Sequence, residues 1–341
     1  MTTSNTPLET LGTRLCPWLF PALERLQAAR RAERLGHAWL IAGPPGVGKL
    51  NLAFVAARQL LHGNPAEPAP LGPKEAVEAL ASRYEPADHH ADLHWLHPEE
   101  GKSTISVEQI RATIDALSLT SHGGNAKVVV IEPADAMTLA AANSLLKTLE
   151  QPSGDAYLFL LSAQPDRLPP TIRSRCQRLD LKRPTADALA AWLGIKDISG
   201  LADLCQMAGG SPLRAASLLN SDRPNANRDL RADVAAVSGD RADPIAVAKA
   251  WVDGDLEITL VWLLSEINSE LRWRLGAGVS NAVTVRSDAT GHNAWRGLTF
   301  ETLFGQYERA QRLLNQLGSG VNLELAVQAL LFGFQANRGQ S

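Results

Sequence analysis

The feature that most constrains the fold is a glycine-rich loop at residues 43–50, with the sequence GPPGVGKL. The apolar run at residues 38–42 predicts a buried strand before the loop, and residues 52–61 predict a helix after it. Strand, loop and helix in this order place an anion at a helix N-terminus, where unpaired N–H groups and the helix dipole favour negative charge. A plain Pro/Gly turn would explain the loop but not its flanks, so we predict an α/β domain around a phosphate-binding loop.

One residue of this loop departs from what ATP hydrolysis needs. Gly43, Gly46 and Gly48 would let the backbone aim its N–H groups at phosphate oxygens, and Lys49 would reach the β- and γ-phosphates. A Ser or Thr hydroxyl should follow the lysine and hold Mg²⁺, whereas Leu50 has no oxygen to offer. We therefore expect a degenerate nucleotide site. The sequence leaves open whether ATP or ADP still binds around Lys49.

A second departure follows the apolar run at residues 127–131, the strongest strand signal in the chain. An ATPase of this kind needs an acid there to support Mg²⁺, and commonly a second acid to activate water. Glu132 could lie near a metal, but Pro133 can neither accept a proton nor position a water. Because losing a general base costs about 10²–10⁴ in rate, we expect no independent ATPase activity.

The composition describes an ordinary globular chain of two or three domains. It has 341 residues and a net charge of −3, which argues against a nucleic-acid coat or a membrane-surface protein. Any DNA contact must be local: Arg30, Arg31 and Arg34 form the nearest basic cluster, although a solvated helix face explains them equally well. With no signal-peptide pattern, no long apolar run and three scattered cysteines, we expect a cytoplasmic protein without membrane partners.

Strand and helix signals divide the chain. The predicted strands fall at residues 38–42, 92–96, 127–131, 157–161 and 178–181. Because helices alternate with them, we predict a parallel sheet in an α/β domain spanning residues 1–183. An all-α part follows: short helices at residues 184–220 predict a small lid, and residues 228–338 predict a larger helical domain.

Two arginines form a second candidate site. Arg173 and Arg175 follow Pro169-Pro170 on a predicted short helix at the edge of the sheet domain. An arginine supplied to the γ-phosphate of a neighbouring subunit stabilises transition-state charge and is worth about 10³–10⁵ in rate. A pair of solvated surface arginines is the alternative, and the residues alone favour it.

Three motifs resemble those of the AAA+ clamp-loader ATPases. They are GPPGVGK at residues 43–49, ANSLLKTLEQP at 142–152 and LPPTIRSRC at 168–176. Within that family the whole chain resembles the delta-prime subunits of bacterial DNA polymerase III, which are known for degenerate ATP sites. The resemblance implies an AAA+ P-loop domain, a small helical lid and a C-terminal helical collar that oligomerises.

The resemblance also assigns roles to single residues. Arg175 would be the arginine finger for a neighbouring subunit's ATP, Arg214 the second sensor, and Ser162 or Gln164 the first sensor. The degenerate nucleotide site would comprise Gly43, Gly46, Gly48, Lys49, Glu132 and Arg214.

The function implied is that of a non-catalytic, stator-like subunit of the replicative clamp loader. Its partners would be the gamma/tau and delta subunits, with the sliding clamp and primed DNA reached through the complex. The holoenzyme's nucleotidyltransferase activity would lie in another chain. The alternatives are an ATP-hydrolysing motor subunit, which Leu50 and Pro133 disfavour, and a standalone nucleotide-binding regulator.

No metal or required cofactor is expected. Many relatives carry a four-cysteine zinc module after the phosphate-loop helix, but residues 62–92 contain no cysteine. His89, His90, His94 and His97 are clustered and could in principle bind zinc. Because they span a loop and a strand whose neighbouring side chains alternate faces, we favour surface and strand-edge histidines.

Overall fold

A five-stranded parallel sheet forms the centre of the first part of the chain in this computed structural model. The described residues are 11–63, 66–81, 90–99, 101–118, 126–152, 154–196, 201–219, 226–276, 295, 297–317 and 320–335. Their strands are β1 (Arg14–Leu15), β2 (Ala38–Ala42), β3 (Ala69–Pro70), β4 (Leu93–Leu96), β5 (Lys127–Ile131), β6 (Ala156–Ser162) and β7 (Gln177–Asp180). The order in the main sheet is β4-β5-β6-β2-β7.

The apolar composition of the central strands follows from their position. Every residue of β2 and β5 is buried, as expected of a parallel sheet with both faces covered by helices. The strands predicted from the sequence are confirmed, with bounds that shift by no more than one residue. The parallel α/β fold is confirmed with them.

Helices pack around this sheet. They are α1 (Phe20–Arg31), α2 (Lys49–Leu61), α3 (Pro73–Ala81), α4 (Val107–Ser118), α5 (Leu139–Glu150) and α6 (Pro170–Arg173). Between β5 and α4, the buried amine of Lys127 donates to the carbonyl of Ala116 at 2.7 Å and so satisfies an acceptor at the C-terminus of α4.

The Pro-rich stretch at residues 63–73 contains a short strand that is exposed at the surface. Proline content predicts a loop here, whereas β3 lies within the stretch and pairs in parallel with β1. Pairing needs only a few backbone groups: the N–H of Leu71 donates to Leu15 O at 2.8 Å. A strand of two residues leaves no periodic pattern, so composition alone could not predict it.

The chain divides into two compact units, residues 1–183 and 184–341. The described part of the second unit is helical. Its helices are α7 (Ala186–Leu193), α8 (Leu201–Met207), α9 (Pro212–Leu219), α10 (Ala226–Ser238), α11 (Pro244–Asp253), α12 (Leu256–Arg274), α13 (Phe300–Asn315) and α14 (Leu323–Gln335). The fold class of α/β followed by all-α is thereby confirmed. The separation of a lid at residues 184–220 from a collar at 228–338 stays a prediction.

The polar, Pro-containing stretch before α10 lies mostly outside the described residues, and α10 begins at Ala226. The polar stretch at residues 276–292 also lies almost wholly outside them. Across the described part of the chain, no helix combines the length and apolar character needed to cross a bilayer.

One buried side chain ties the N-terminal segment to the phosphate-loop helix. Asn51, on α2, accepts from the N–H of Cys16 at 3.0 Å and donates to Leu11 O at 2.8 Å and Arg14 O at 2.7 Å. With 3% of its surface exposed, Asn51 satisfies three backbone groups that water does not reach.

We predict that Asn51→Ala lowers the free energy of unfolding by about 3 kcal/mol, because buried backbone groups lose their partners. Urea denaturation of the two proteins measures the difference. Asn315→Ala, at the exposed end of α13, is the control and should change stability by less than about 0.5 kcal/mol. Equal stability of the two variants would contradict the anchoring role of Asn51.

Candidate functional site

The phosphate-binding loop connects β2 to α2 at the carboxyl edge of the sheet. Gly46 and Gly48 have φ angles of 65° and 96°, a region that L side chains rarely adopt. A Cβ atom at Gly48 would lie 2.8 Å from Leu19 Cδ1. The N–H of Gly43 donates to Ser162 O at 3.1 Å, so the loop begins where β6 ends.

Lys49 is folded back onto the loop. Its amine donates to Gly43 O at 2.8 Å and to Pro44 O at 3.0 Å, and the residue is 9% exposed. Burial lowers the pKa of Lys49 from its ordinary value, while the charges of Glu132 and Asp135 raise it. The positive charge therefore lies close to two acids at the end of β5.

Leu50 fills an apolar packing position at the start of α2. Only 4% of its surface is exposed. The adjoining loop is held from the N-terminal side, because the indole N–H of Trp18 donates to Val47 O at 2.9 Å. Cys16 is fully buried beside this contact, and burial raises the pKa of its thiol to about 12. The position at which a metal-binding hydroxyl would be expected is therefore part of the hydrophobic core.

The candidate first-sensor residue Ser162 is hydrogen-bonded to an acid, Asp135, that the sequence motifs did not predict as part of the site. Its hydroxyl donates to Asp135 Oδ1 at 2.5 Å and accepts from the N–H of Gln164 at 3.0 Å. Ser162 is completely buried. Asp135 lies in a 3₁₀ turn (Ala134–Ala136) after β5. The sequence signal that could have indicated Asp135 is its carboxylate, three residues after Glu132.

The carboxyl edge of the sheet therefore brings together Lys49, Glu132, Asp135 and Ser162. The ammonium group of Lys49 lies near the carboxylates of Glu132 and Asp135. The hydroxyl of Ser162 holds the Asp135 carboxylate in place through a hydrogen bond. Backbone N–H groups and a lysine of this kind suit a phosphate. No hydroxyl stands at position 50 to bind Mg²⁺, and Pro133 supplies no base.

Arg175 lies in the turn after α6 and is held by Glu150, the last residue of α5. Its Nε donates to Glu150 Oε1 at 2.7 Å, and Nη2 donates to the same oxygen. Nη1 donates to Thr171 O at 3.1 Å and to Ser174 Oγ at 3.4 Å. The side chain retains 35% exposure, so it is ordered but accessible.

Arg173, the other arginine of this segment, has a different partner. Its Nη1 donates to Asp166 Oδ1 at 2.8 Å. The two arginines therefore do not form one cluster, and each has its own acid.

Arg214 belongs to the second unit, on α9. Its Nη2 donates to Glu257 Oε1 at 2.5 Å, and its backbone N–H donates to Ser211 Oγ at 3.1 Å. Its assignment to the nucleotide site stays a prediction.

The clustered histidines of the sequence contact different residues in the structure. His90 lies 4.0 Å from Asp92 and stacks edge-on against His62, whereas His97 stacks against Trp95. Burial lowers the pKa of His94, and His89 lies outside the described residues. Within the described ranges, no group of three His, Cys, Asp or Glu side chains is placed to hold a metal ion.

Arg30 has a structural contact in the predicted basic cluster. Its Nη1 donates to Gln59 O at 2.6 Å, near the C-terminus of α2. This contact satisfies a carbonyl of the last helical turn and places the cation at the negative end of the helix dipole.

We predict that Ser162→Ala lowers the free energy of unfolding by about 2 kcal/mol, because it leaves the Asp135 carboxylate and the Gln164 N–H without their shared partner. Thermal and urea unfolding measure the change. Ser118→Ala, at the exposed end of α4, is the matched control and should be nearly neutral. A neutral effect of Ser162→Ala would contradict the described bond.

Comparison with known proteins gives a consistent result. Residues 20–185 match the family described as DNA polymerase III, delta subunit, and residues 221–336 match DNA polymerase III, delta subunit, C terminal. DNA polymerase III subunit delta' of Pseudomonas aeruginosa is 33% identical over 89% of this chain and 93% of the relative. The same subunit of Escherichia coli K12 is 31% identical over 93% and 94%.

Among solved structures, a DNA polymerase III gamma subunit-related protein of Thermotoga maritima aligns over 92% of this chain and 99% of its own, with 17% identity and a TM-score of 0.44. That likeness is too weak to support an argument. The sequence matches are sufficient: the chain belongs to the DNA polymerase III subunit delta' family.

Proposed function

We propose that this member of the delta-prime family is a non-catalytic, stator-like subunit of the replicative clamp loader, and that it donates Arg175 to the ATP site of a neighbouring motor subunit. The observation that carries the proposal is a contrast between two positions. Leu50, where a metal-binding hydroxyl would stand, is buried in the core, whereas Arg175 is ordered at the surface with a third of its side chain accessible.

The chain's own loop supports a structural role. Lys49 is bonded to two carbonyls of the loop, and the segment around Trp18 packs against it. Position 50 offers Mg²⁺ no oxygen, and Pro133 offers water no base. We therefore expect that neither ATP nor ADP is a required cofactor of this chain, and the absence of cysteine from residues 62–92 leads us to expect no zinc.

Family membership supports a place in the DNA polymerase III clamp-loader complex. We propose that the partners are the gamma/tau and delta subunits, with the sliding clamp and primed DNA contacted through the assembled loader. Nucleotide addition by the holoenzyme belongs to a different subunit. The loader would use ATP bound by its motor subunits, and this chain would complete one of those sites.

We predict that the isolated chain releases no phosphate from ATP above background, with or without Mg²⁺. Leu50→Thr should stay equally inactive, since a restored hydroxyl leaves Pro133 unable to activate water. A steady-state phosphate-release assay, with an active gamma/tau subunit as the positive control, measures both proteins. Magnesium-dependent turnover by the unmodified chain would instead favour a motor subunit.

We predict that Arg175→Ala lowers ATP hydrolysis by the reconstituted loader in the presence of clamp and primed DNA. The site that Arg175 serves should lose about 10³–10⁵ in rate, so total turnover falls by at least that site's share. Arg178→Ala is the control, because Arg178 is an exposed arginine paired with Asp180 on β7. Gel filtration must show intact assembly for both. Equal ATP turnover by the Arg175→Ala and Arg178→Ala loaders would contradict the assignment of Arg175 as an arginine finger.

A further inference from the structure

Arg175 is fixed at its backbone but not by burial of its guanidinium. Three residues before Arg175 in the chain, Ile172 is fully buried, and the residue directly after Arg175, Cys176, packs against the same hydrophobic core. The arginine side chain between them leaves the core with 35% exposure. A long side chain anchored in this way needs a partner if its guanidinium is to keep one orientation, since the flexible arginine stem has many accessible rotamers.

Glu150 supplies that partner. Its neighbour Leu149 is buried, so the end of α5 is also fixed to the core. One oxygen of Glu150 accepts from both Nε and Nη2 of Arg175. Together with Thr171 O and Ser174 Oγ on Nη1, this contact engages all three nitrogens of the guanidinium.

The bonding leaves one donor unused. A guanidinium has five N–H groups; Glu150 accepts from the Nε and from Nη2, and Nη1 serves the other two acceptors. Among the described residues, the second N–H of Nη2 has no partner. An anion that reaches this N–H can therefore bind without first breaking the contact to Glu150.

Folding stability does not explain the presence of Glu150. A carboxylate in the last turn of a helix lies at the negative end of the helix dipole, which disfavours it. The pair is also half exposed, with Glu150 at 51%, and exposed ion pairs contribute little to stability. The position therefore carries a locally unfavourable residue whose evident contact is Arg175.

We propose that Glu150 is the positioning residue of the arginine finger: it holds the Arg175 guanidinium in a single orientation, with one Nη2 N–H left to meet the phosphate of the neighbouring subunit's ATP. This proposal rests on the proposed function. Glu150 itself does not contact nucleotide. It acts by reducing the conformational freedom that Arg175 would otherwise lose as the transition state forms.

The experiment is a double-mutant cycle in the reconstituted loader, using Glu150→Gln, Arg175→Ala and the double variant. Steady-state ATP hydrolysis with clamp and primed DNA gives kcat and KM. Glu150→Gln should lower kcat about tenfold at the served site, equivalent to about 1.4 kcal/mol, and leave KM unchanged. In the Arg175→Ala background the same change should have no further effect, since interacting residues are not additive.

The matched control is Asp166→Asn, which removes a carboxylate from the Arg173 pair on the same surface and should leave kcat unchanged. The melting temperature of the free chain should be the same for Glu150→Gln as for the unmodified protein. A merely structural role of Glu150 would instead lower it. Wild-type kcat or a raised kcat for Glu150→Gln, or additive effects in the double variant, would overturn the positioning role. If Arg175→Ala alone has no effect, the proposed function itself fails.

Discussion

The pairing of β2 with two parallel neighbours is the constraint on which the first unit depends. β2 lies between β6 and β7, and β5 lies beyond β6. Because all of these strands run in the same direction, their carboxyl ends open onto one edge of the sheet. That edge receives the phosphate-binding loop from β2, Glu132 from β5 and Ser162 from β6. The same sheet, through β7, also fixes the turn that carries Arg175.

The two sites on this scaffold differ in how their polar groups are satisfied. At the loop, Leu50 packs into the core and Lys49 bonds to loop carbonyls, so local groups satisfy one another. At the surface, Arg175 is held by hydrogen bonds but keeps an accessible side chain. In the proposed stator role, the first site needs only to hold its shape, whereas the second must be accessible to a partner.

The sequence predicted most of the fold because the central strands carry a strong signal. The run at residues 127–131 is apolar after its first residue, Lys127, and the strand β5 has the predicted bounds. The phosphate-binding loop is recognisable in the sequence by its three glycines and its lysine. Contacts distant in sequence could not be predicted. The bond of Arg175 to Glu150 joins residues 25 apart, and it depends on how α5 and α6 meet. The place of Asp135 in the site could not be predicted either, because it lies beyond the end of the strand and only the 3₁₀ turn brings its carboxylate to Ser162.

The proposed function requires that Arg175 complete an ATP site in another subunit. The most direct test is a cryo-electron microscopy structure of the loader reconstituted with this chain, clamp, primed DNA and a transition-state analogue of ATP. We expect a guanidinium nitrogen of Arg175 within hydrogen-bonding distance, about 3 Å, of the γ-phosphate mimic bound to the adjacent motor subunit. An Arg175 side chain that contacts only its own chain, with the neighbouring nucleotide met by a different cation, would contradict the account.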